Sequence, residues 1–198
     1  MFSGLIAYAG TVREHARGEG GVRLVVQCEG VARECPHRGD SIAVNGVCLT
    51  AIAIEGDRIA FDVVPETLER STLGELIVGE RVNIEYSLRI GDRIGGHLVY
   101  GHVDAAAEVL ERREEGLGER VRIGVPPSFQ PFVTEKGYVA VDGVSLTVAR
   151  AGTGWFEIAL IPETLVRTTL GLRPIGSRVN LEADPLARYV RNTLEASR

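Results

Sequence analysis

The sequence has few cysteines, almost no lysine and no long apolar run, and each shortage excludes a class of protein. The cysteines are Cys28, Cys35 and Cys48, an odd number without a C-x-x-C pair, which argues against a disulfide framework and a structural zinc site. No apolar run approaches the roughly 20 residues of a membrane helix. The first residues, MFSGLIAYAGTV, lack the basic flank and small-residue cleavage site of a signal peptide. We therefore expect a cytoplasmic protein with no membrane contact.

Basic residues are too few for a surface that binds nucleic acid. The chain of 198 residues has 22 Lys and Arg against 27 Asp and Glu, a net charge of −5, and Lys136 is its single lysine. Nucleic-acid affinity depends mainly on clustered basic residues, so no nucleic-acid partner is expected. Hydrophobic residues make up 44% and charged residues 25%, the balance of a globular protein with a buried core.

The chain repeats itself once, at a constant displacement. VNGVCLT at 44–50 returns as VDGVSLT at 141–147, and VPETLERSTLG at 64–74 returns as IPETLVRTTLG at 161–171. A third pair, GERVNIE and GSRVNLE, follows at the same displacement of 97 residues. A period this long exceeds the unit of a solenoid, so each half is a domain in its own right.

Each half has the pattern of a small all-β domain. Residues 51–64 predict two strands joined at 55–57 by a glycine turn, and residues 119–125 alternate as a half-buried strand. Short strands with glycine-rich turns favour a barrel, because closure removes exposed edges. Each ETL-x-R-x-TLG segment predicts a short helical turn that ends at Gly74 or Gly171.

The C-terminal stretch predicts a helix instead. Asp184 can cap it and Pro185 suits its first turn, and an apolar stripe follows at Leu186, Tyr189, Val190 and Leu194. A helix of this length is marginal alone, so its apolar face packs on its own barrel or on the same helix of sister subunits. We favour sister subunits. The predicted units are residues 1–94, 95–185 and the helix 186–198.

Several motifs together resemble the riboflavin synthase family over essentially the whole chain. They are MFSGLI at the start, the paired NGVCLT and DGVSLT, the paired PETL-x-R-x-TLG, and GGHLVYGHVD at 95–104. The resemblance implies two homologous six-stranded Greek-key β-barrels, a C-terminal helix and a homotrimer held partly by those helices. It also implies that two molecules of 6,7-dimethyl-8-ribityllumazine give riboflavin and 5-amino-6-(D-ribitylamino)uracil by transfer of a four-carbon unit, without cofactor or metal. Association with lumazine synthase is compatible with it.

Positions at which the two halves differ are candidates for catalysis. Cys48 matches Ser145, and by resemblance they line the two lumazine sites as nucleophiles or polarising groups. The alternative for Cys48 is a small buried apolar residue. His102 matches Leu5 and is the candidate acid or base, because an unperturbed imidazole titrates near neutral pH.

The resemblance completes the catalytic set and locates it. It puts His102 beside Ser145 and Thr147 in one site. It also brings Asp184 to the active site, although capping the last helix is a sufficient role for this residue. The pair His97 and His102 has no third ligand at a suitable spacing, so we expect no metal site.

The wider set of substrate contacts also follows from the resemblance. Phe2 would cover the site, and Gly4 and Gly101 would let backbone amides approach the flat ring closely. Lys136 would lie near the ribityl chain. The alternative is that this lysine has no specific role and remains by chance in a chain that otherwise uses arginine. His97 is a weaker candidate, with a role in the interdomain loop as the alternative. The threonines of the PET motifs could instead cap a helix.

The candidate substrate-binding residues are Phe2, Gly4, Leu5, Ile6, Cys48, Leu49, Thr50, Asp62, Val63, Val64, Pro65, Glu66, Thr67, His97, Gly101, His102, Val103, Lys136, Ser145, Leu146, Thr147, Ile161, Pro162, Glu163, Thr164, Leu165 and Val166.

Two rival functions use the same fold. One is a non-catalytic fluorescent protein that binds lumazine or flavin, and the other is a flavin-binding barrel with neither activity. Relatives of the first kind typically keep one pocket and lose the reactive residues of the other. Because this chain keeps Cys48, His102, Ser145, Thr147 and Lys136 together, we favour the enzyme.

Overall fold

The computed structural model describes residues 1–197, which form two closed antiparallel β-barrels and a C-terminal helix. Barrel 1 consists of β1 (Tyr8–Gly18), β2 (Gly21–Gln27), β3 (Ser41–Val44), β4 (Val47–Glu55), β5 (Arg58–Val63) and β6 (Arg81–Tyr86). Barrel 2 consists of β7 (Ala105–Glu115), β8 (Gly118–Gly124), β9 (Tyr138–Val141), β10 (Val144–Gly152), β11 (Trp155–Leu160) and β12 (Arg178–Ala183).

The two barrels share one topology. Around barrel 1 the strands follow the order β1-β2-β5-β4-β3-β6, and barrel 2 repeats this order when it is read from β7. Strands β4 and β5 form the predicted hairpin, with Gly56 in the left-handed region at φ 62°. Two separate apolar cores fill the barrels, one around Phe61 and one around Phe156. The predicted pair of six-stranded barrels is confirmed.

Short helices lie between the strands. They are α1 (Val31–Glu34), which the sequence did not predict, α2 (Pro65–Arg70) and α3 (Pro162–Arg167). The prediction that Gly74 and Gly171 end the helical turns is wrong. Helix α2 ends at Arg70 because Ser71 is extended, and the glycine lies inside a following 3₁₀ turn, Thr72–Glu75; Gly171 lies likewise in Thr169–Leu172.

The N-cap positions of α2 and α3 are also not threonines. Val64 and Ile161 occupy them, with no hydrogen bond from a capping side chain, and a proline follows at the first helical position. Proline needs no amide partner there, and its fixed φ suits the first turn. The hydroxyls of Thr67 and Thr164 are therefore not required as caps.

The last helix, α4 (Pro185–Ala196), begins as predicted. The Asp184 side chain accepts a hydrogen bond from the Leu186 amide at 2.9 Å, and Arg188 joins the helix to Asp104 of barrel 2 at 2.9 Å. The apolar stripe does not pack on the chain's own barrel, since each of its side chains is about 60% exposed or more: Leu186 67%, Tyr189 61%, Val190 59% and Leu194 62%. Arg198, the end of the predicted helix, lies outside the described residues. Within residues 1–197 no helix has the length and apolar character to cross a membrane.

Buried amide side chains join the barrels across a pseudo-twofold axis. From barrel 1, Asn83 donates to the carbonyl of Asp142 at 2.9 Å and accepts from the amide of Thr169 at 2.7 Å. From barrel 2, Asn180 donates to the carbonyl of Asn45 at 2.8 Å and accepts from the amide of Thr72 at 2.8 Å. Each asparagine therefore satisfies two main-chain groups of the opposite barrel.

Removing either bridging amide should destabilise the protein strongly. Asn83→Ala leaves the Thr169 amide and the Asp142 carbonyl buried without partners, at about 1–3 kcal/mol for each group. We expect a loss of about 2–5 kcal/mol in the free energy of unfolding, and the same for Asn180→Ala. Chemical denaturation with both barrels monitored gives the value, and Asn192→Ala on the exposed face of α4 is the control. A loss under about 1 kcal/mol for Asn83→Ala would contradict the bridging role.

Candidate active site

The two halves exchange short segments, so each candidate site is built from both. The N-terminal segment lies on barrel 2, where the amide of Ser145 donates to the carbonyl of Gly4 at 2.8 Å and Ile6 packs on the barrel 2 core. The segment that follows the linker lies on barrel 1, where the amide of Cys48 donates to the carbonyl of Gly101 at 2.9 Å. Val103 then packs on the barrel 1 core.

The exchange sets the position of His102 within one chain. The sequence analysis puts it beside Ser145 and Thr147 in one site, and in the structure its segment lies against Cys48 on barrel 1. A contact of His102 with Ser145 and Thr147 would therefore need a second subunit, and it stays a prediction. The His102 side chain is exposed there, with its ring edge-on to Tyr100 at 5.9 Å between centroids. The imidazole that does meet Ser145 is His97.

Gly4 and Gly101 are required where the exchanged segments meet the strands. Both have positive φ, 75° and 76°, and a side chain at either position would collide with the opposite barrel. A Cβ atom would lie 2.5 Å from the Cβ of Ser145 at position 4, and 2.6 Å from the Cβ of Cys48 at position 101. The glycines thus permit the close approach of the exchanged segment to the strand, and the predicted approach to a ring stays a prediction.

Two buried glutamates anchor the exchanged segments. Glu85 of β6 accepts from the amides of Ser3 at 2.7 Å and Gly4 at 3.1 Å. Its counterpart Glu182 of β12 accepts from three amides, those of residues 100–102. Burial raises the pKa of Glu182 to about 7 and also raises that of Glu85, against the opposing effect of the amide donors. The amides of Gly4, Gly101 and His102 are therefore occupied by these carboxylates.

A surface groove of about 540 Å³ runs along barrel 2, and we call it groove 2. It contains most of the polar residues that the sequence analysis assigned to the second site. Its lining residues are Arg120, Lys136, Ser145, Leu146, Thr147, Ala149, Arg150, Ala159, Ile161 and Thr164. The predicted grouping of Lys136, Ser145, Thr147, Ile161 and Thr164 therefore corresponds to one continuous surface.

At groove 2, a buried imidazole contacts the hydroxyl of Ser145. Nδ1 of His97 lies 2.6 Å from Oγ of Ser145, and the ring stacks on Tyr138 at 5.0 Å between centroids. His97 is 7% exposed, and among the described residues its Nε2 has no hydrogen-bond partner. Burial lowers the pKa of His97 from its ordinary 6.5, against an opposing contribution from Asp184. At neutral pH the ring is therefore uncharged and can accept a proton.

The matching surface of barrel 1, which we call groove 1, comprises the positions 97 residues earlier. They are Arg23, Gly39, Cys48, Leu49, Thr50, Ile52, Ala53, Asp62, Val64 and Thr67. An ion pair between Arg23 and Asp62, at 2.7 Å, crosses this surface. Arg23 accordingly lines two separate hollows, of about 240 and 530 Å³. Cys48 is half-buried and packs against the small cluster around Phe2.

Other predicted residues contribute little or no side-chain surface to the grooves. Leu49, Val63 and Leu146 are buried in the barrel cores and Leu165 packs against one, so only their backbones are available to a ligand. Phe2 is fully buried between the barrels, with its amide bound to the Val99 carbonyl at 2.8 Å, and does not cover a groove.

The PET motifs lie on the surface. Pro65, Glu66, Pro162, Glu163 and Val166 are exposed. Glu66 and Glu163 form ion pairs with Arg70 and Arg167 one helical turn later. Leu5 is half-exposed near Gly95.

The sequence analysis missed Arg120, Arg150 and Ala159 in groove 2 and the two anchoring glutamates. A signal for the glutamates was present, because Glu85 and Glu182 match at the 97-residue displacement and occupy strand positions buried in a β-barrel. The cations of groove 2 had no such signal, since at two of the three lining positions they do not repeat: Gly39 matches Lys136 and Ala53 matches Arg150.

Comparison with known proteins identifies both halves with one family. The model of the lumazine binding domain family matches twice, at residues 3–87 and 100–184. A riboflavin synthase of Mycobacterium bovis is 45% identical over 201 residues, covering 100% of each chain. A riboflavin synthase of Bacillus subtilis is 36% identical over 190 residues, covering 96% of this chain and 88% of its own length.

Solved structures give the same result. The crystal structure of LumP complexed with 6,7-dimethyl-8-(1'-D-ribityl) lumazine superposes with a TM-score of 0.84 at 26% identity. It covers 92% of this chain and 99% of LumP. The complex of LumP with riboflavin has a TM-score of 0.86. From its two lumazine binding domains and its full-length relatives, this chain belongs to the riboflavin synthase family.

Proposed function

We propose that the chain catalyses the dismutation of two molecules of 6,7-dimethyl-8-ribityllumazine into riboflavin and 5-amino-6-(D-ribitylamino)uracil. The observation that carries this proposal is groove 2, where Ser145 is bound to His97, together with the matching surface of barrel 1, where Cys48 occupies the position of Ser145. Relatives that match over 88–100% of their own length are riboflavin synthases, which supports the same activity. A reaction between two identical substrates requires two similar sites, and the duplicated barrels supply them.

Bringing both rings into fixed sites changes the kinetics of the reaction. Two bound rings react as parts of one complex, so their translational freedom is lost on binding rather than in the transition state. The barrels must then present the rings to each other, and groove 1 of one subunit facing groove 2 of a neighbour would do so. The homotrimer is therefore part of this proposal, with α4 contributing to its contacts.

In groove 2, Ser145 and His97 together supply a base. The neutral imidazole of His97 can take the proton of Ser145 as the hydroxyl takes a proton from the ring's C7 methyl group. Thr147 and Lys136 line the same surface and can bind ring or ribityl oxygens. Asp184, which caps α4, adds negative charge near His97 and favours its protonated form after transfer.

In groove 1, Cys48 and the exposed His102 are the groups that can act on the second ring. The thiol can add to the ring as a temporary nucleophile, and the imidazole can move a proton at its edge. Thr50 and Asp62 stand at positions matching Thr147 and Ala159, so this groove can bind a ring with a different set of partners.

The remaining expectations form part of the same proposal. Residues 1–94 and 95–185 are its two lumazine-binding units and 186–198 its assembly helix, and the site lies in the cytoplasm. A lumazine synthase shell, which makes the substrate, is a reasonable partner. The competing function is that of a lumazine-binding protein without turnover, because the LumP complexes share this fold.

Turnover separates the two functions. Purified protein mixed with 6,7-dimethyl-8-ribityllumazine and no added cofactor should form riboflavin and the ribitylaminouracil in equal amounts, measured by absorbance and chromatography. Tight lumazine binding without either product would support the binding protein and reject the enzyme.

Variants of the Ser145–His97 pair test the proposed base. Ser145→Ala and His97→Gln should each lower kcat by about 10²-fold or more, and His102→Gln should do so through groove 1. Because burial lowers the His97 pKa, the acid limb of the pH profile of kcat/KM should lie below pH 6.5, and activity should be lost as His97 becomes protonated. Thr153→Ala, in an exposed turn, is the hydroxyl control. Rates within threefold of the unmodified protein would remove the altered residue from the mechanism.

Removal of the last helix tests the assembly. A chain lacking residues 186–198 should retain two folded barrels, because the exposed stripe of α4 makes no contribution to either core. We expect the trimer to weaken and activity to become dependent on protein concentration, as measured by sedimentation and by assays over a dilution series. A truncated chain that still sediments as a stable trimer would mean that the barrels alone hold the subunits together.

A further inference from the structure

The two grooves carry different charge although they derive from one repeat. Groove 2 is lined by three cations, Arg120, Lys136 and Arg150, and by no carboxylate among the described residues. At the positions matching Lys136 and Arg150, groove 1 has Gly39 and Ala53. A cationic groove on a chain with a net charge of −5 is a local feature rather than a consequence of composition.

The acid that pairs with the shared arginine has also moved. In groove 1, Arg23 pairs with Asp62 at 2.7 Å, within the groove itself. In groove 2 the position of Asp62 is Ala159, and Arg120 instead pairs with Glu115 of the β7–β8 hairpin, at 3.0 Å from its Nε. Glu115 matches Gly18, so barrel 1 has no acid there. Two differences thus add positive charge to groove 2, and the third moves the acid that pairs with its arginine out of the groove to the hairpin.

A lysine occupies position 136 although the backbone conformation there is unfavourable for a residue with a side chain. It adopts φ 66°, a left-handed conformation that costs a side chain energy, whereas Gly39 reaches the equivalent φ of 98° freely. Within residues 1–197, neither Lys136 nor Arg150 forms an ion pair. The adjacent Glu135 is engaged with the amide of Ala151 at 3.1 Å, and Glu163 with Arg167. Two cations in the groove therefore remain available to a ligand.

We propose that groove 2 holds the ring that loses a proton and becomes an anion, whereas groove 1 holds the ring that stays neutral. The inference rests on the proposed function and assigns a role to each groove within it. A C–H bond of the C7 methyl group breaks, its proton passes through Ser145 to His97, and the electron pair spreads into the ring and its oxygens. Lys136 and Arg150 stabilise that negative charge.

Two features of the site agree in favouring groove 2. The buried imidazole hydrogen-bonded to a groove hydroxyl is at groove 2, whereas the segment over groove 1 brings only the exposed His102. The magnitude is adequate as well: one cation about 8 Å from a bound ring would favour the anion by at most roughly 30-fold at an effective dielectric near 20. Solvent around the exposed Lys136 and Arg150 reduces this to several-fold for each. The ion pair Arg23–Asp62 gives groove 1 no such excess.

Exchanging residues between the grooves tests the assignment. Lys136→Gly, Arg150→Ala and Ala159→Asp each install in groove 2 the residue that groove 1 has at the matching position. The new carboxylate beside Arg120 would repeat the existing pair of Arg23 and Asp62, so the fold can accept it. Asp62→Ala is the matched change in groove 1. The readout is the rate at which 6,7-dimethyl-8-ribityllumazine incorporates deuterium at its C7 methyl group in D₂O, measured on unreacted substrate by mass spectrometry.

We expect Ala159→Asp to slow exchange about tenfold or more at saturating lumazine, and Lys136→Gly and Arg150→Ala to slow it several-fold. Asp62→Ala should not slow exchange, whatever it does to riboflavin formation.

If the unmodified protein makes riboflavin and none of the three groove 2 variants slows exchange, the assignment is wrong. It is also wrong if Asp62→Ala slows exchange as much as the groove 2 variants do. Lys136→Gly and Arg150→Ala, at exposed positions, decide the matter if Ala159→Asp fails to fold. Failure of the unmodified protein to form riboflavin would instead reject the proposed function.

Discussion

The site depends on two buried carboxylates, Glu85 and Glu182, each of which fixes a segment that then lies on the other barrel. Glu85 binds amides at the N-terminus, and the carbonyl of Gly4 next to them receives the amide of Ser145. Glu182 does the same for the segment over Cys48. Burying a carboxylate is costly unless several donors surround it, and the donors here are main-chain amides of the exchanged segments. Anchoring and exchange therefore stabilise each other.

The exchange explains why one barrel alone would make an incomplete site. Groove 2 has its strand residues from barrel 2, but Gly4, which binds the Ser145 amide, and Ile6, which packs on the barrel 2 core, come from the start of the chain. The bridging amides of Asn83 and Asn180 then fix the two barrels in one relative position. Errors in that position would be transmitted to both grooves, because the exchanged segments have main-chain contacts to both sides.

Much of the fold could be predicted, because the repeat and the alternation of apolar residues depend on local sequence. The hairpin of β4 and β5 and the cap at Asp184 follow from such signals. The end of α2 did not, since Ser71 rather than Gly74 breaks the helix, through its own hydrogen bond to the Leu73 amide. A glycine indicates where a helix can end, but a residue that precedes it in the chain, here Ser71, can end the helix earlier.

The candidate site was harder to predict because it depends on long-range placement. Ser145, Thr147 and Lys136 are near one another in sequence and meet in groove 2. His97 and His102 are five residues apart, yet the chain crosses between barrels after His97, so within one chain only His97 reaches Ser145. A repeat aligns matching positions within each half, but it carries no information on which half receives an exchanged segment.

Duplication also constrains how the two grooves can diverge. Residues that join the barrels, such as Asn83 and Asn180, act in reciprocal contacts, so a change in one half removes a partner from the other. Residues of the groove surface make no such reciprocal contacts, and there the two halves differ: Gly39 aligns with Lys136, and Asp62 aligns with Ala159. Symmetry is thus retained at the bridging asparagines and lost where a ligand would lie. A protein that only stored two identical rings would gain nothing from that loss, whereas a reaction that charges one ring and leaves the other neutral requires it.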